Sequence, residues 1–154
     1  MLQPNKKFRV SKTGGAFAIV ASRYNARYVD AMLRAAQQEL KRAGATVRVV
    51  RVPGAYEIPV VAARLARTAH PPLAGIICLG VILRGATTHA QHIGEAVSDA
   101  LVRIQIQCEV PVIHEVLLLE NQDQARERCL DPDHNRGQEA AQTALAMARV
   151  MKTL

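Results

Sequence analysis

The chain has 154 residues, of which 49% are hydrophobic and only 3% aromatic, with no tryptophan. This length and composition suit one globular domain with an aliphatic core and exclude a disordered chain. The formal net charge of +7 would suit nucleic acid or an anionic small molecule as a partner. The basic residues are scattered, however, and only 6–9 form a cluster, so we expect no nucleic-acid partner.

Cysteine spacing and hydrophobicity bear on the location of the protein. Cys78, Cys108 and Cys129 are far apart in the sequence, which favours reduced thiols in a cytoplasmic protein. The longest apolar stretch, at 74–83, is much shorter than the ~20 residues of a membrane-spanning helix. No apolar export signal precedes Gly14. We therefore expect a cytoplasmic protein that makes no membrane contact.

Apolar runs of strand length alternate with segments of helical spacing along the chain. The expected strands are 16–21, 47–52, 74–83 and 110–118. The third run is almost continuously apolar, as is typical of a central strand that is covered on both faces. The expected helices lie around 29–40, 58–66, 93–104, 122–129 and 141–148.

This alternation predicts an α/β protein of three αβα layers. We expect a flavodoxin-like sandwich, in which a four-stranded parallel sheet carries helices on both faces. The chain divides into an N-terminal arm, 1–15, and a single domain, 16–154. Ligands of such folds bind outside the carboxyl ends of the strands. The segments of interest are therefore the strand-end loops at 22–25, 53–57, 84–89 and 118–121.

The loop at 84–89 follows the most apolar strand and precedes a helix. Gly85 allows a ligand to approach the backbone closely, and Thr87 and Thr88 offer hydroxyl groups. Together with the free N–H groups of the helix start, they could hold a phosphate. His89 could carry protons near neutral pH, or it could be a solvated residue of a helix that Thr88 caps. The residues alone leave both interpretations open.

Two other strand ends carry aromatic or acidic side chains. Glu57 lies where a helix begins, so it could complement the helix dipole or accept hydrogen bonds from a ligand. Taken alone, this turn favours the structural role. Tyr24 could stack on a planar heterocycle or cover a helix edge. Because Tyr24 and Tyr56 are two of only five Phe and Tyr residues, their shared position at strand ends favours ligand contact.

Metal and cofactor motifs are not evident in the sequence. His89 and His92 have the spacing of a shared metal site, but Glu95 alone does not complete one. Neither GxGxxG nor GxxxxGK[ST] occurs. We expect no metal and no cofactor.

Five segments taken together resemble the lumazine synthase family. Each segment is short, but their order and spacing are specific, and the match runs from about Ala16 to Met151. The segments are Ser22-Arg23-Tyr24-Asn25, the run 52–59, the run 80–89, Glu120-Asn121 with Arg128, and Asn135-Arg136-Gly137 with Glu139-Ala140-Ala141.

The resemblance implies a transferase of riboflavin biosynthesis. Such an enzyme condenses 5-amino-6-(D-ribitylamino)uracil with 3,4-dihydroxy-2-butanone 4-phosphate and forms 6,7-dimethyl-8-ribityllumazine, releasing phosphate and water. It requires no metal or redox cofactor. Much of the catalysis would then come from holding two substrates in register.

The resemblance also implies roles for individual residues. His89 would be the catalytic residue and would shuttle protons. The residues that bind ribitylaminouracil would be Tyr24, Ala55, Tyr56, Glu57, Val81, Ile82, Leu83 and His114. The residues that bind butanone phosphate would be Ala86, Thr87 and Arg128, with Gly85 and Arg136 as further candidates.

Self-association is a further implication of the resemblance. Members of the family form homopentamers whose sites lie between neighbouring subunits, and larger assemblies extend to decamers and icosahedral shells. His114, Arg128 and Arg136 would come from the adjacent subunit.

This chain departs from the common pattern of the family at several positions. His114 stands where an aromatic residue, usually Phe, packs on the pyrimidine, and an imidazole titrates as well as stacks. Arg136 replaces a lysine and keeps its charge. At 90–92, family members usually have a more aromatic and acidic stretch. Leu118 and Leu119 stand where threonine is frequent in the family. Two alternatives stay open: a flavin-binding shell protein without catalysis, and a basic phosphate- or nucleic-acid-binding domain.

Overall fold

The computed structural model describes residues 2–5 and 14–154. The basic cluster at 6–9 and most of the expected N-terminal arm lie outside the described residues. The strands are β1 (Ala16–Ser22), β2 (Thr46–Val52), β3 (Gly75–Leu83) and β4 (Val112–Leu119). The helices are α1 (Ala26–Arg42), α2 (Ile58–Thr68), α3 (His89–Cys108), α4 (Gln122–Ala125) and α5 (Arg136–Lys152).

Two short helical turns complete the secondary structure and correct one expectation. A 3₁₀ turn, Ala55–Glu57, leads into α2. The expected helix at 122–129 is α4 followed by one π-helical turn, Arg126–Leu130. The other four expected helices are confirmed. In the described part of the chain, no helix has the length and apolar character of a membrane span.

The four strands form one parallel sheet in the order β2-β1-β3-β4. The α/β class and the parallel sheet are therefore confirmed. From β1 the chain crosses first to one side, to β2, and then back past β1 to β3 and β4. The direction of winding thus reverses between β1 and β3, and an open α/β sheet forms its ligand crevice at such a point.

Side chains of the central strands alternate between two cores. Ile77 and Leu79 pack with α1 and α5 on one face of the sheet. Ile76 and Cys78 pack with α2 and α3 on the other face. Because both faces of β3 are covered, a polar residue has no solvent-facing position there, which accounts for its apolar sequence.

Helices α1 and α5 pack closely because α5 presents small residues to α1. Ala140, Ala141 and Ala144 are fully buried on this face. Gly137, in the first turn of α5, lies so near α1 that a Cβ atom there would be 2.0 Å from the carbonyl oxygen of Met32. Only glycine fits, because the atom it meets belongs to helix backbone that cannot rotate away.

We expect Gly137→Ala to lower the free energy of unfolding by about 3 kcal/mol or more, because the added methyl group forces the two helices apart. Gly94→Ala is the matched control, since a Cβ there meets Leu118 at an ordinary 3.6 Å. The control should be neutral or up to about 1 kcal/mol more stable, since alanine favours helix. Denaturant unfolding of both variants measures this difference, and equal stabilities would contradict the close packing.

Candidate active site

A cleft of about 770 Å³ opens at the carboxyl ends of β1 and β3. Its size is that of an ordinary small-molecule site. Eight of the residues named from the sequence line it: Tyr24, Ala55, Tyr56, Glu57, Val81, Ile82, Leu83 and His89. Five others that were assigned no role line it as well: Asn25, Gly54, His92, Ile93 and Ala96.

Asn25 joins the two strands at the point where the winding reverses. It follows β1 with a left-handed φ of 59°, a conformation that asparagine tolerates better than most residues. Its side-chain Nδ2 donates a hydrogen bond of 2.7 Å to the carbonyl oxygen of Val81 in β3. This hydrogen bond links the loop after β1 to β3 at the floor of the cleft, between residues that lie 56 positions apart in the sequence.

The Tyr24 ring lies at the mouth of the cleft, close to Gly54. Tyr24 is 67% exposed, so its side chain is not buried against a helix. A Cβ at Gly54 would lie 2.9 Å from ring atom Cδ2, so glycine lets the ring lie in this position without shifting. The backbone N–H of Tyr24 donates to the carbonyl oxygen of Pro53 at 3.0 Å, which fixes the approach of the two loops. An exposed ring held in this way suits stacking on a flat ligand.

Glu57 ends the 3₁₀ turn and occupies the position immediately before α2. Its side chain makes no capping hydrogen bond to the described part of that helix. The carboxylate is exposed, and its Oε2 would lie 3.1 Å from a Cβ at Gly54, on the side of the cleft. The carboxylate is thus an accessible hydrogen-bond acceptor beside the Tyr24 ring.

The loop between β3 and α3 lies next to the cleft, with Gly85, Ala86, Thr87 and Thr88 all exposed. Thr88 occupies the cap position of α3, but its side chain makes no capping hydrogen bond within the described residues. Instead, the Thr87 hydroxyl oxygen accepts from the backbone N–H of His89 at 3.4 Å. The Thr88 side chain therefore does not cap α3, whereas the exposed first-turn position of His89 fits both interpretations of that residue.

His89 is the first residue of α3 and lies between the loop and the cleft. Its side chain is exposed. Among the residues that the structure describes, no three His, Cys, Asp or Glu side chains are grouped as metal ligands. The exposed imidazole of His89 borders the cleft, within reach of a molecule bound there.

His114 lies on edge strand β4, outside the lining of the cleft. Its Nδ1 accepts the backbone N–H of Val116 at 3.1 Å, so the ring proton belongs on Nε2, which contacts Ser98 Oγ at 2.7 Å. The Ser98 hydroxyl in turn donates to the carbonyl oxygen of Gly94 at 2.8 Å. Desolvation by the surrounding atoms lowers the pKa of His114 below its ordinary value. His114 is thus held by two hydrogen bonds on β4 and α3, and not at the cleft.

The two arginines named as phosphate candidates also lie away from the cleft lining, and they differ in their partners. Arg136 donates from Nε and Nη2 to both carboxylate oxygens of Glu115, at 3.1 Å each, and from Nη1 to Glu139 at 3.0 Å. Arg128 has a buried Nε for which the described residues supply no hydrogen-bond partner. Arg136 is thus paired with two carboxylates, whereas the described residues form no ion pair with Arg128.

Sequence reasoning missed Glu115, although a lone carboxylate within the apolar strand β4 was a visible signal. Burial raises the pKa of Glu115 to about 6, while the charges of Arg136 and Arg128 act in the opposite direction. The ion pair with Arg136 thus comes at the cost of removing the carboxylate from water.

A doubly covered parallel sheet with a cleft at its winding reversal, lined by exposed aromatic rings, a carboxylate and a histidine, is typical of an α/β protein that binds a small molecule at its strand ends.

Comparison with known proteins identifies the family. Residues 14–152 match the family model of 6,7-dimethyl-8-ribityllumazine synthase. A protein of that name from Stenotrophomonas maltophilia (strain R551-3) is 42% identical over 141 residues, covering 90% of each chain. Another from Xanthomonas campestris pv. campestris (strain B100) is 39% identical over 145 residues, covering 92% of this chain and 93% of that one. The chain belongs to the 6,7-dimethyl-8-ribityllumazine synthase family.

The buried Glu115 generates a prediction about pH and stability. The pKa of its carboxyl group is 4.5 in the unfolded chain and about 6 in the folded protein, so the folded state binds this proton more tightly. The stability that the bound proton provides is lost as the pH rises through this window. Compared with Glu115→Gln, the wild type should lose about 2 kcal/mol of unfolding free energy between pH 4.5 and 7. Urea unfolding across this range measures the difference.

Glu127→Gln is the matched control, because it removes an exposed carboxylate from the neighbouring turn and leaves Glu115 in place. Its pH profile should follow that of the wild type. A difference between wild type and Glu115→Gln that does not change with pH would contradict the raised pKa.

Proposed function

We propose that this chain condenses 5-amino-6-(D-ribitylamino)uracil with 3,4-dihydroxy-2-butanone 4-phosphate to form 6,7-dimethyl-8-ribityllumazine. The reaction is that of its family. The observation that carries the proposal is the cleft at the winding reversal, into which four separate strand ends and helix starts bring residues of matching chemistry.

In the proposed complex, the pyrimidine ring stacks on Tyr24. The backbone of Val81, Ile82 and Leu83 meets the polar edge of the ring at the end of β3. The ribityl chain extends along Ala55, Tyr56 and Glu57, where the exposed Glu57 carboxylate accepts hydrogen bonds from its hydroxyl groups. This arrangement is supported by the exposed Tyr24 ring and by the free Glu57 carboxylate beside it.

The phosphate of the second substrate binds, in this proposal, at the loop from Gly85 to Thr87. The first N–H groups of α3 have no partner within the helix, and the helix dipole favours a negative charge there. Ala86 and Thr87 are exposed beside these N–H groups, and Gly85 leaves open space for the ligand. The loop would therefore bind the phosphate mainly through backbone donors.

We assign proton transfer to His89. The amine of the pyrimidine substrate attacks the ketone, and water leaves as the imine forms. Phosphate is then eliminated, and the ribitylamino nitrogen closes the ring on the remaining carbonyl carbon with loss of a second water. Each step moves a proton between nitrogen, carbon or oxygen atoms at the junction of the two substrates. His89 lies at this junction, because it borders both the cleft and the phosphate loop.

We also propose that a second subunit completes the site in a homopentamer. His114, Arg128 and Arg136 lie outside the cleft of their own chain, although the loop requires a cation for a dianionic phosphate. We assign that role to Arg128 of the adjacent subunit, because Arg136 is already paired with Glu115 and Glu139. Exposed Val102 and Ile106 on α3, which packs beside edge strand β4, supply apolar surface for such an interface. A cytoplasmic location and any assembly beyond the pentamer stay predictions from the sequence.

The test is product formation by the purified protein. Mixed with both substrates, the wild type should form the lumazine, which is followed by its absorbance and fluorescence. His89→Ala should lower kcat by about 100-fold, within the range of general acid–base contributions. His70→Ala, an exposed histidine at the opposite edge of the sheet, should leave kcat unchanged.

Two outcomes would contradict the proposal. A folded and assembled wild type that forms no product at any pH would remove the proposed reaction, and riboflavin binding without turnover would then support a binding protein. Equal kcat values for His89→Ala and wild type would remove the proton-transfer role from His89.

A further inference from the structure

Arg84, the first residue after β3, is held to three elements at once. Its backbone N–H donates to the carbonyl oxygen of Leu119 at 2.8 Å, one step beyond the β3–β4 ladder. Its Nε donates to Glu120 Oε1 at 3.0 Å, just after β4. Its Nη2 donates to Gln91 Oε1 at 2.9 Å, in the first turn of α3. The side chain therefore bridges both ends of the loop that it begins.

The Gln91 amide is oriented from its other end. Its Nε2 donates to Glu95 Oε1 at 2.6 Å, one turn further along α3. Since the amide has one donor end and one acceptor end, this contact turns its carbonyl oxygen toward Arg84. Arg84, Gln91, Glu95 and Glu120 thus form a continuous chain of hydrogen bonds, which we call the loop clamp.

Arg84 and Gln91 of the loop clamp lie on either side of the exposed loop residues Gly85 to Thr88. Arg84 fixes where the loop leaves β3, and Gln91 fixes where α3 begins relative to that point. The direction of the loop N–H groups depends on these two ends. If the loop already has its binding shape, an anion binds without the free-energy cost of ordering the loop.

The partners of Arg84 distinguish the loop clamp from a second phosphate site. The Arg84 guanidinium already donates to the carboxylate of Glu120 and to the amide oxygen of Gln91, so we do not assign it a phosphate. Its side chain is 32% exposed and that of Glu120 is 56% exposed. Exposed pairs of this kind contribute little to global stability, so the clamp acts on local geometry.

We propose that Arg84 and Gln91 are positioning residues that hold the loop from Gly85 to Thr88 in its phosphate-binding shape, with Glu95 and Glu120 orienting them. The inference rests on the proposed function, because that function assigns the phosphate to this loop. It adds residues that contact no substrate and that act only on the phosphate half of the site.

The test compares KM values for the two substrates. In Gln91→Ala, KM for butanone phosphate and the inhibition constant of inorganic phosphate should both rise about tenfold, since the loop must be ordered on binding. KM for ribitylaminouracil and the urea midpoint should stay within experimental error, because neither the cleft nor the core changes. Arg84→Gln should behave in the same way.

A rescue variant separates positioning from a general loss of packing. In the double variant Gln91→Glu, Glu95→Gln, the new amide donates to the new carboxylate, which still accepts from Arg84. Both contacts and the net charge are kept, so the KM for butanone phosphate should return to within about twofold of wild type. The control Asp99→Ala breaks the exposed Arg103–Asp99 pair of the same helix and should change neither KM.

The proposal is overturned if Gln91→Ala leaves the KM for butanone phosphate unchanged, or if both KM values rise together with a fall in the urea midpoint. Failure of the rescue variant would also overturn it. If the wild type forms no product, the proposed function fails separately. Inorganic phosphate binding to wild type and Gln91→Ala, measured by calorimetry, then decides on the clamp alone, with equal affinities counting against it.

Discussion

The burial of β3 on both faces is the constraint on which the rest of the structure depends. A central parallel strand requires helical crossovers on each side, and these bring all four carboxyl ends to one edge of the sheet. The reversal of winding between β1 and β3 then opens the cleft, and the hydrogen bond from Asn25 to Val81 closes its floor. Core packing and the location of the site thus have the same physical cause.

The chemistry of the chain is divided between two regions. The cleft contains the stacking ring Tyr24, the acceptor Glu57 and the histidine His89, all suited to a neutral polar heterocycle. Cations suited to a phosphate lie elsewhere, and Arg136 is already bound by two carboxylates. In the proposed reaction, the cleft and the adjacent loop of one subunit would hold the two substrates, and a neighbouring subunit would add a cation.

The sequence predicted the elements better than it predicted the contacts between them. The apolar run at 74–83 identified the central strand, because both faces of that strand need apolar side chains. Periodicity reports only which face of an element is buried, so it does not reveal pairs such as Glu115 with Arg136 or Ser98 with His114. Those pairs depend on which elements meet, and for this reason the contact of His114 with Ser98 and the ion pairs of Arg136 emerged only from the structure.

The most direct measurement of the central claim is activity in mixed assemblies of His89→Ala and Arg128→Ala subunits. Each variant alone should be nearly inactive, because every site lacks one half. After unfolding and refolding together in equal amounts, about a quarter of the interfaces in a ring should combine two wild-type halves and recover that share of activity. A mixture no more active than its separate components would place both residues in one subunit's site and contradict the account.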